Sequence, residues 1–299
     1  MITLGELIDE VITTLHGQIV DLPAVGTLVG SIDALSSELA LDFGDAPGAS
    51  RPNGVLEIGS ELFSVSRYDN TNGVASIPPW GRGYLGTTAA THAAGSKVIV
   101  RPRFPRKRVA QTINQVISAS CPPLYNAKNL DPFDTNGIVV NGFPLPDDFL
   151  RILRVEAIDD FMDPTIAPRR TLRHWEVRSV AGAQMLILPQ YEAFETVQVT
   201  IAANPGTLVN ETDDFATVTG LPESAADMVV FGAIARLVLA GDIGRLQVTT
   251  IEAANRGDKV SGGSGTAVSR YYQAMYQQRL QTEQARLQSH YPLNLTRRG

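Results

Sequence analysis

Residues 222–240 read PESAADMVVFGAIARLVLA, and this stretch decides the fold class on sequence grounds. Met228, Val229, Val230, Phe231, Ile234, Leu237, Val238 and Leu239 surround nearly the whole cylinder of a helix. A helix that is apolar on every side belongs at the centre of its protein. Pro222 suits the first helical position, Glu223 and Asp227 favour the positive end of the helix dipole, and Gly241 ends the run.

Three further helices share the chain with it. Leu4, Leu7, Ile8, Val11, Ile12 and Leu15 form one apolar stripe, with Thr3 and Glu6 spaced as a capping box and Gly17 as a stop. Val109, Ile113, Val116 and Ile117 form a second stripe after Pro105, ended by Pro122 and Pro123. A long last helix runs from about Ala267 to Ser289 on Val268, Tyr272, Met275, Tyr276 and Leu280, after the Gly/Ser-rich stretch 261–265. Between the helices lie β-type runs. Val55–Ile58 and Glu61–Ser66 flank a tight turn at Gly59-Ser60, residues 68–73 read as a loop, and Lys97–Arg101 as a final strand. Further on, Phe149–Val155, Trp175–Val180, Gln184–Leu188 and the strictly alternating Thr196–Ile201 suit a three- or four-stranded antiparallel sheet.

The expected fold is therefore α+β: a bundle of about four helices with two small inserted antiparallel β modules and an extended C-terminal arm. Its parts are a bundle helix at 1–20, a β module at 25–104, a bundle helix at 105–125, a sheet section at 135–205, bundle helices at 220–290 and the arm at 291–299. The first module has a thin core, so it should lean on a neighbour.

Composition narrows the function. The chain has 299 residues, 43% of them hydrophobic and 19% charged, as in ordinary globular proteins. No apolar run approaches the ~20 residues of a membrane span, and the first residues lack the bases and apolar run of a signal peptide, which predicts a soluble chain not exported by the usual route. A single cysteine, Cys121, excludes an intrachain disulfide framework. The net charge of −6 argues against a general polyanion binder.

Few residues suggest chemistry. His92 could act as a base, but no G-x-S-x-G elbow or cysteine nucleophile accompanies it, and a turn histidine bonded to backbone accounts for it more simply. The acids Asp147-Asp148, Asp159-Asp160 with Asp163, and Asp213-Asp214 lack the alternating spacing of a calcium loop and read as turn and cap residues. Residues 262–266, GGSGT, lack the lysine of a phosphate loop and read as a hinge. No cofactor and no metal is expected.

Two stretches suggest contact with other molecules. Arg101, Arg103, Arg106, Lys107 and Arg108 open a helix, where cations oppose the dipole, so an anion should offset them. Acids of a neighbouring copy are one partner, making these residues a subunit interface; nucleic-acid phosphate and a solvated rim are the alternatives. From Arg270 onward there are five arginines against one acid, Glu283. Tyr271, Tyr272, Tyr276, Arg279, Arg286 and Tyr291, with Pro292, Arg297 and Arg298 in the arm, form a surface suited to ordering against a protein partner.

Three stretches carry a family resemblance: GRGYLGTTAATHAAG at 81–95, LPDDFLRILRV at 145–155, and the apolar helix from Pro222 with the polar last helix and arm. The first resembles a strand-and-turn signature of phage structural β modules, and the second the start of the sheet in adaptor-type proteins. Together the ordering resembles head-to-tail connector (adaptor) proteins of tailed bacteriophages. The resemblance implies a virion protein without catalysis, made in the host cytoplasm and placed at the head–tail junction as a ring of twelve copies. Its partners would be its own copies, the portal protein (through Tyr271–Arg298), a neck or tail-completion protein, and genomic DNA passing without sequence-specific contact, with no membrane involved. Two alternatives stand beside it: a tail or baseplate protein whose β module binds a partner or glycan, and a hydrolase using His92 or an Asp cluster.

Overall fold

The computed structural model describes residues 1–17, 23–44, 54–134, 142–159, 169–188, 195–239 and 264–291. The chain divides into two compact units, one of Glu6–Ile113 and Val230–Gln273, the other of Met1–Gly5, Asn114–Val229 and Ala274–Gly299. Among the described residues there are five helices: α1 (Leu4–His16), α2 (Arg106–Ser120), α3 (Phe215–Thr219), α4 (226–239) and α5 (Ser264–His290). The stripe residues Leu4, Leu7, Ile8, Val11 and Leu15 of α1 and Val109, Ile113, Val116 and Ile117 of α2 are all buried. In the first turn of α1, the Leu4 and Gly5 amides donate to the carbonyls of Asp213 and Glu211 at 3.0 and 2.9 Å.

Among the described residues of the first unit are seven short strands: β1 (Val25–Leu28), β2 (Glu38–Asp42), β3 (Gly54–Ile58), β4 (Glu61–Val65), β5 (Arg67–Asp69), β6 (Val74–Ser76) and β7 (Lys97–Val100). They form one antiparallel sheet in the order β4-β3-β7-β1-β2-β6-β5. Its two outer strands, β4 and β5, are separated by Ser66 alone, so both edges belong to one bent segment and the sheet curls into a nearly closed barrel. The turn between β3 and β4 places Gly59 at φ +57°, a left-handed conformation that glycine adopts freely. Residues 68–73, a loop by their composition, include most of β5 and the turn that carries it into β6. Leu28, Leu39, Leu41, Leu56, Ile58, Phe63, Ala75 and Val98 meet inside.

In the second unit, β11 (Phe149–Asp159) pairs along its length with β15 (Glu195–Ala203). With β8 (Asn126–Asn129) and β12 (Arg170–Thr171) they make a sheet ordered β12-β11-β15-β8, and β9 (Phe133–Asp134) adds to β15. A second sheet runs β10 (Phe143–Pro144), β14 (Ala183–Ile187), β13 (Glu176–Val180). Val155, Leu186, Leu188, Val197, Val199 and Ile201 from both sheets share one core. In α2, the Asn114 side chain holds Leu208 at both ends of its peptide, donating to the carbonyl at 2.8 Å and accepting from the amide at 3.0 Å.

The expected helical bundle with small inserted β modules is overturned: the protein is a strand-rich α+β chain built on a seven-stranded, nearly closed barrel and further sheets. The reason is physical. A helical stripe repeats within one window of sequence, whereas strands of three to five residues show their weight only after distant segments pair, as Val25 does with Ile99. The module at 25–104 also has more core than its composition suggested, because closing the sheet turns one face of every strand toward the same interior. The arm at 291–299 lies outside the described residues apart from Tyr291.

Candidate functional site

The best-defined polar constellation sits in the barrel and is built by residues 81–95. Glu61, at the start of β4, has a side chain only 1% exposed. Its carboxylate accepts from Arg82 Nε at 2.8 Å, Arg82 Nη2 at 3.1 Å, the Gly83 amide at 3.0 Å and the Ala90 amide at 2.9 Å. His92 Nε2 lies 2.9 Å from the same carboxylate and, facing an acceptor, carries its hydrogen there. Burial pushes the Glu61 carboxyl up, but Arg82, the Ala90 amide, His92 and the Gly83 amide outweigh it and hold the group below the ordinary carboxylate value.

Arg82 extends the network to three carbonyls, donating to those of Asp33, Ser36 and Ala90. Its guanidinium also stacks over the Phe63 ring at 4.9 Å. The main chain of His92 pairs with Ile32 in both directions, at 2.9 and 3.0 Å. Glycine is required in this stretch by close approach: a Cβ on Gly81 would lie 2.6 Å from the Ser64 carbonyl, and Gly83 sits at φ +60°. Leu85 takes a left-handed conformation, φ +53°, which costs a non-glycine residue about 1–2 kcal/mol. Lys107 Nζ donates to the carbonyls of Leu85 and Gly86 and steadies that turn. Chemically this is a clasp. An anion saturated by donors is a weak base, and an imidazole tied at ring and backbone is fixed in place.

The clasp also presents apolar side chains to solvent. Leu35, on the 33–37 loop that Arg82 grips, is 89% exposed, and Trp80 and Leu85 are each 66% exposed. The Trp80 ring lies 6.2 Å from that of Tyr84.

The basic run finds much of its counter-charge within its own unit. The Arg106 amide donates to Glu57 Oε1 at 2.6 Å and its guanidinium pairs with Asp9. The anion that the helix dipole calls for is therefore Glu57, buried at the start of α2. Lys107 is engaged as described. The Arg103 guanidinium lies 5.6 Å from the Phe104 ring, Arg101 sits at φ +50° with its amide on the Val55 carbonyl, and Arg108 is exposed.

The residues proposed for partner contact divide between the units. Tyr271 is 61% exposed and meets Tyr272 edge to face at 5.3 Å, while Tyr272 is half-buried, 6.0 Å from Phe231. Tyr276 is buried. Arg279 pairs with Asp227 at 3.1 Å, and Arg286 donates to Ser224 Oγ at 2.9 Å; both are exposed. Tyr291 is half-buried, and Pro292, Arg297 and Arg298 lie outside the described residues. A cavity of about 250 Å³ in the second unit is lined by Pro122, Pro123, Tyr125, Arg151, Gln284 and Gln288.

The acidic pairs divide likewise. Asp214 caps α3, accepting from the Thr217 amide at 2.9 Å, and Asp213 closes a turn on the amides of Val209 and Asn210. Asp148 lies 4.0 Å from Lys128 Nζ, Asp147 stands beside it in the turn before β11, and Asp159 ends β11. Asp160 and Asp163 lie outside the described residues. Among the described residues no cluster of His, Cys, Asp and Glu could hold a metal ion. Burial pushes the Cys121 thiol up, away from thiolate. Among the described residues no helix is long and apolar enough to cross a membrane.

No local pattern pairs Glu61 with Arg82, because 21 residues separate them, and the Asp33 carbonyl that Arg82 also reaches stands 49 residues away. The stretch 169–178, with Arg169, Arg170, Arg173, His174, Trp175 and Arg178, does carry one: basic residues at short spacing around a tryptophan. No protein-family model and no curated protein matches this chain.

Proposed function

We propose that the chain is a non-catalytic virion protein, a head-to-tail adaptor that assembles as a ring beneath the portal and links it to the neck or tail. The observation that carries this reading is α5. This 27-residue helix keeps most of its surface exposed, with Tyr271, Arg279 and Arg286 directed outward. A solvated helix of that length bearing aromatic and arginine side chains suits docking on another protein. The test is cryo-EM of intact particles focused on the vertex joining head and tail. A ring of this chain between portal and tail is the expected result; its absence from that vertex refutes the reading.

A second reading, a tail or baseplate protein that docks through its barrel, is favoured by Leu35, Trp80 and Leu85, which stand exposed on loops that the clasp holds rigid. Density for the chain at the tail tip would select it.

A further inference from the structure

We infer that residues 169–180, together with Arg154, form a surface for single-stranded nucleic acid, with arginines on the phosphates and Trp175 stacking on a base. The inference stands apart from the adaptor reading. It concerns the second unit alone and is tested on the isolated protein.

The chain as a whole is acidic, yet residues 169–180 carry four arginines and His174 against one glutamate, Glu176. This concentration is exposed: Arg169, Arg170, Arg173, His174, Trp175, Glu176 and Arg178 all face solvent, while Leu172 and Val177 point inward to the core of the sheets. Two apolar anchors, Leu172 and Val177, are thus half-buried while the charged side chains between and around them stay exposed.

Three of these cations, Arg154, Arg169 and Arg173, share a carboxylate or have none among the described residues. Arg154 and Arg169 share one carboxylate, Glu156, each at 3.4 Å. Arg178 is paired with Glu176 at 2.7 Å, with both side chains about half exposed. A pair so placed is worth little in water, so its guanidinium can exchange a carboxylate for a phosphate at small cost. Arg173 has no acidic partner among the described residues.

Trp175 is 36% exposed in the middle of this run. An indole flanked by arginines fits one chemical class of partner especially well. A strand of unpaired nucleotides offers a phosphate for each cation and a flat base for the ring, whereas an acidic peptide offers only the charge.

The test uses the full chain. Fluorescein-labelled oligothymidylate of about 12 nucleotides is titrated and followed by anisotropy, since one such surface spans roughly 4–16 nucleotides. In a Trp80→Phe variant, Trp175 is the only indole and its own emission is followed. Saturable binding with quenching of Trp175 is expected, and affinity should fall with salt at a log–log slope of about −2 to −3, from about −0.7 per neutralised phosphate. Trp175→Ala should weaken single-strand binding about tenfold. The double variant Arg173→Gln/Arg178→Gln should lower the salt slope by about 1.4. Thermal melts matching the parent show that these surface variants are folded. Absence of saturable binding at low salt, binding unchanged in the arginine variant, or equal affinity for polyglutamate would each overturn the inference.

Discussion

Glu61→Gln tests the clasp most directly. The substitution keeps side-chain volume but removes the charge and turns one acceptor oxygen into an NH2 group. That group would face donors now held at 2.8–3.1 Å: Arg82 Nε and the Gly83 amide if it replaces Oε1, or Arg82 Nη2, the Ala90 amide and the imidazole if it replaces Oε2. Arg82, whose side chain is 9% exposed, would lose its counter-charge while remaining buried. Breaking a buried pair by removing one partner costs about 3–5 kcal/mol. At about 1.4 kcal/mol per tenfold, local opening of the barrel should rise by roughly two to three and a half orders of magnitude. The assay is hydrogen exchange by mass spectrometry. Peptides covering 54–69 and 81–95 should lose protection, the Gly83 and Ala90 amides among them, while peptides covering β11 and β15 stay as in the parent. A change smaller than about tenfold in the barrel peptides, or an equal change in both units, would refute the idea that this carboxylate holds the barrel together.

Three more expectations come from the same geometry. Because the Glu61 carboxyl is held below its ordinary value of 4.5, its contribution is complete above that pH and is lost as pH falls through the lower folded value; acid titration of barrel protection should show this in the parent and a flatter profile in Glu61→Gln. Gly206→Ala would place a Cβ 2.0 Å from the Val218 carbonyl, an overlap costing about 1–3 kcal/mol, and melting of the second unit should fall by several degrees. Arg106→Glu would set a carboxylate beside Asp9 and near Glu57, so chemical denaturation should show a destabilised barrel unit in the isolated protein; unchanged stability would refute a structural role for the Arg106–Asp9 pair.

Local structure was legible in the sequence and long-range structure was not. The turn at Gly59-Ser60, the strand runs at 175–180 and 184–188 and the buried stripes of α1 and α2 all stand where residue spacing placed them. Each is written in fewer than twenty consecutive residues. The barrel is not. Its closure depends on β1 meeting β7 and on β5 following β4 across a single residue, and short strands of similar composition leave that pairing open. Helical stripes are the clearest local pattern in the chain, yet strands outnumber helices among the described residues. The clasp was half visible. His92 stands out as a turn residue and its main chain pairs with backbone, but its ring meets a glutamate 31 residues upstream that no motif marks. The basic run at 101–108 stood out by density alone, whereas the arginines at 169–178 needed solvent exposure to give them meaning.

The barrel's first and last strands lie side by side, with Val25 opposite Ile99 and the Val100 amide donating to the Ala24 carbonyl at 2.9 Å. A segment whose two ends meet in this way behaves as a cassette. The flanking chain leaves and returns at nearly the same point, so some seventy-five residues hang from a gap that one hydrogen bond spans. Such a module can be gained, lost or exchanged between genes without moving the residues on either side, and its outer loops are free to diversify while its point of attachment stays the same.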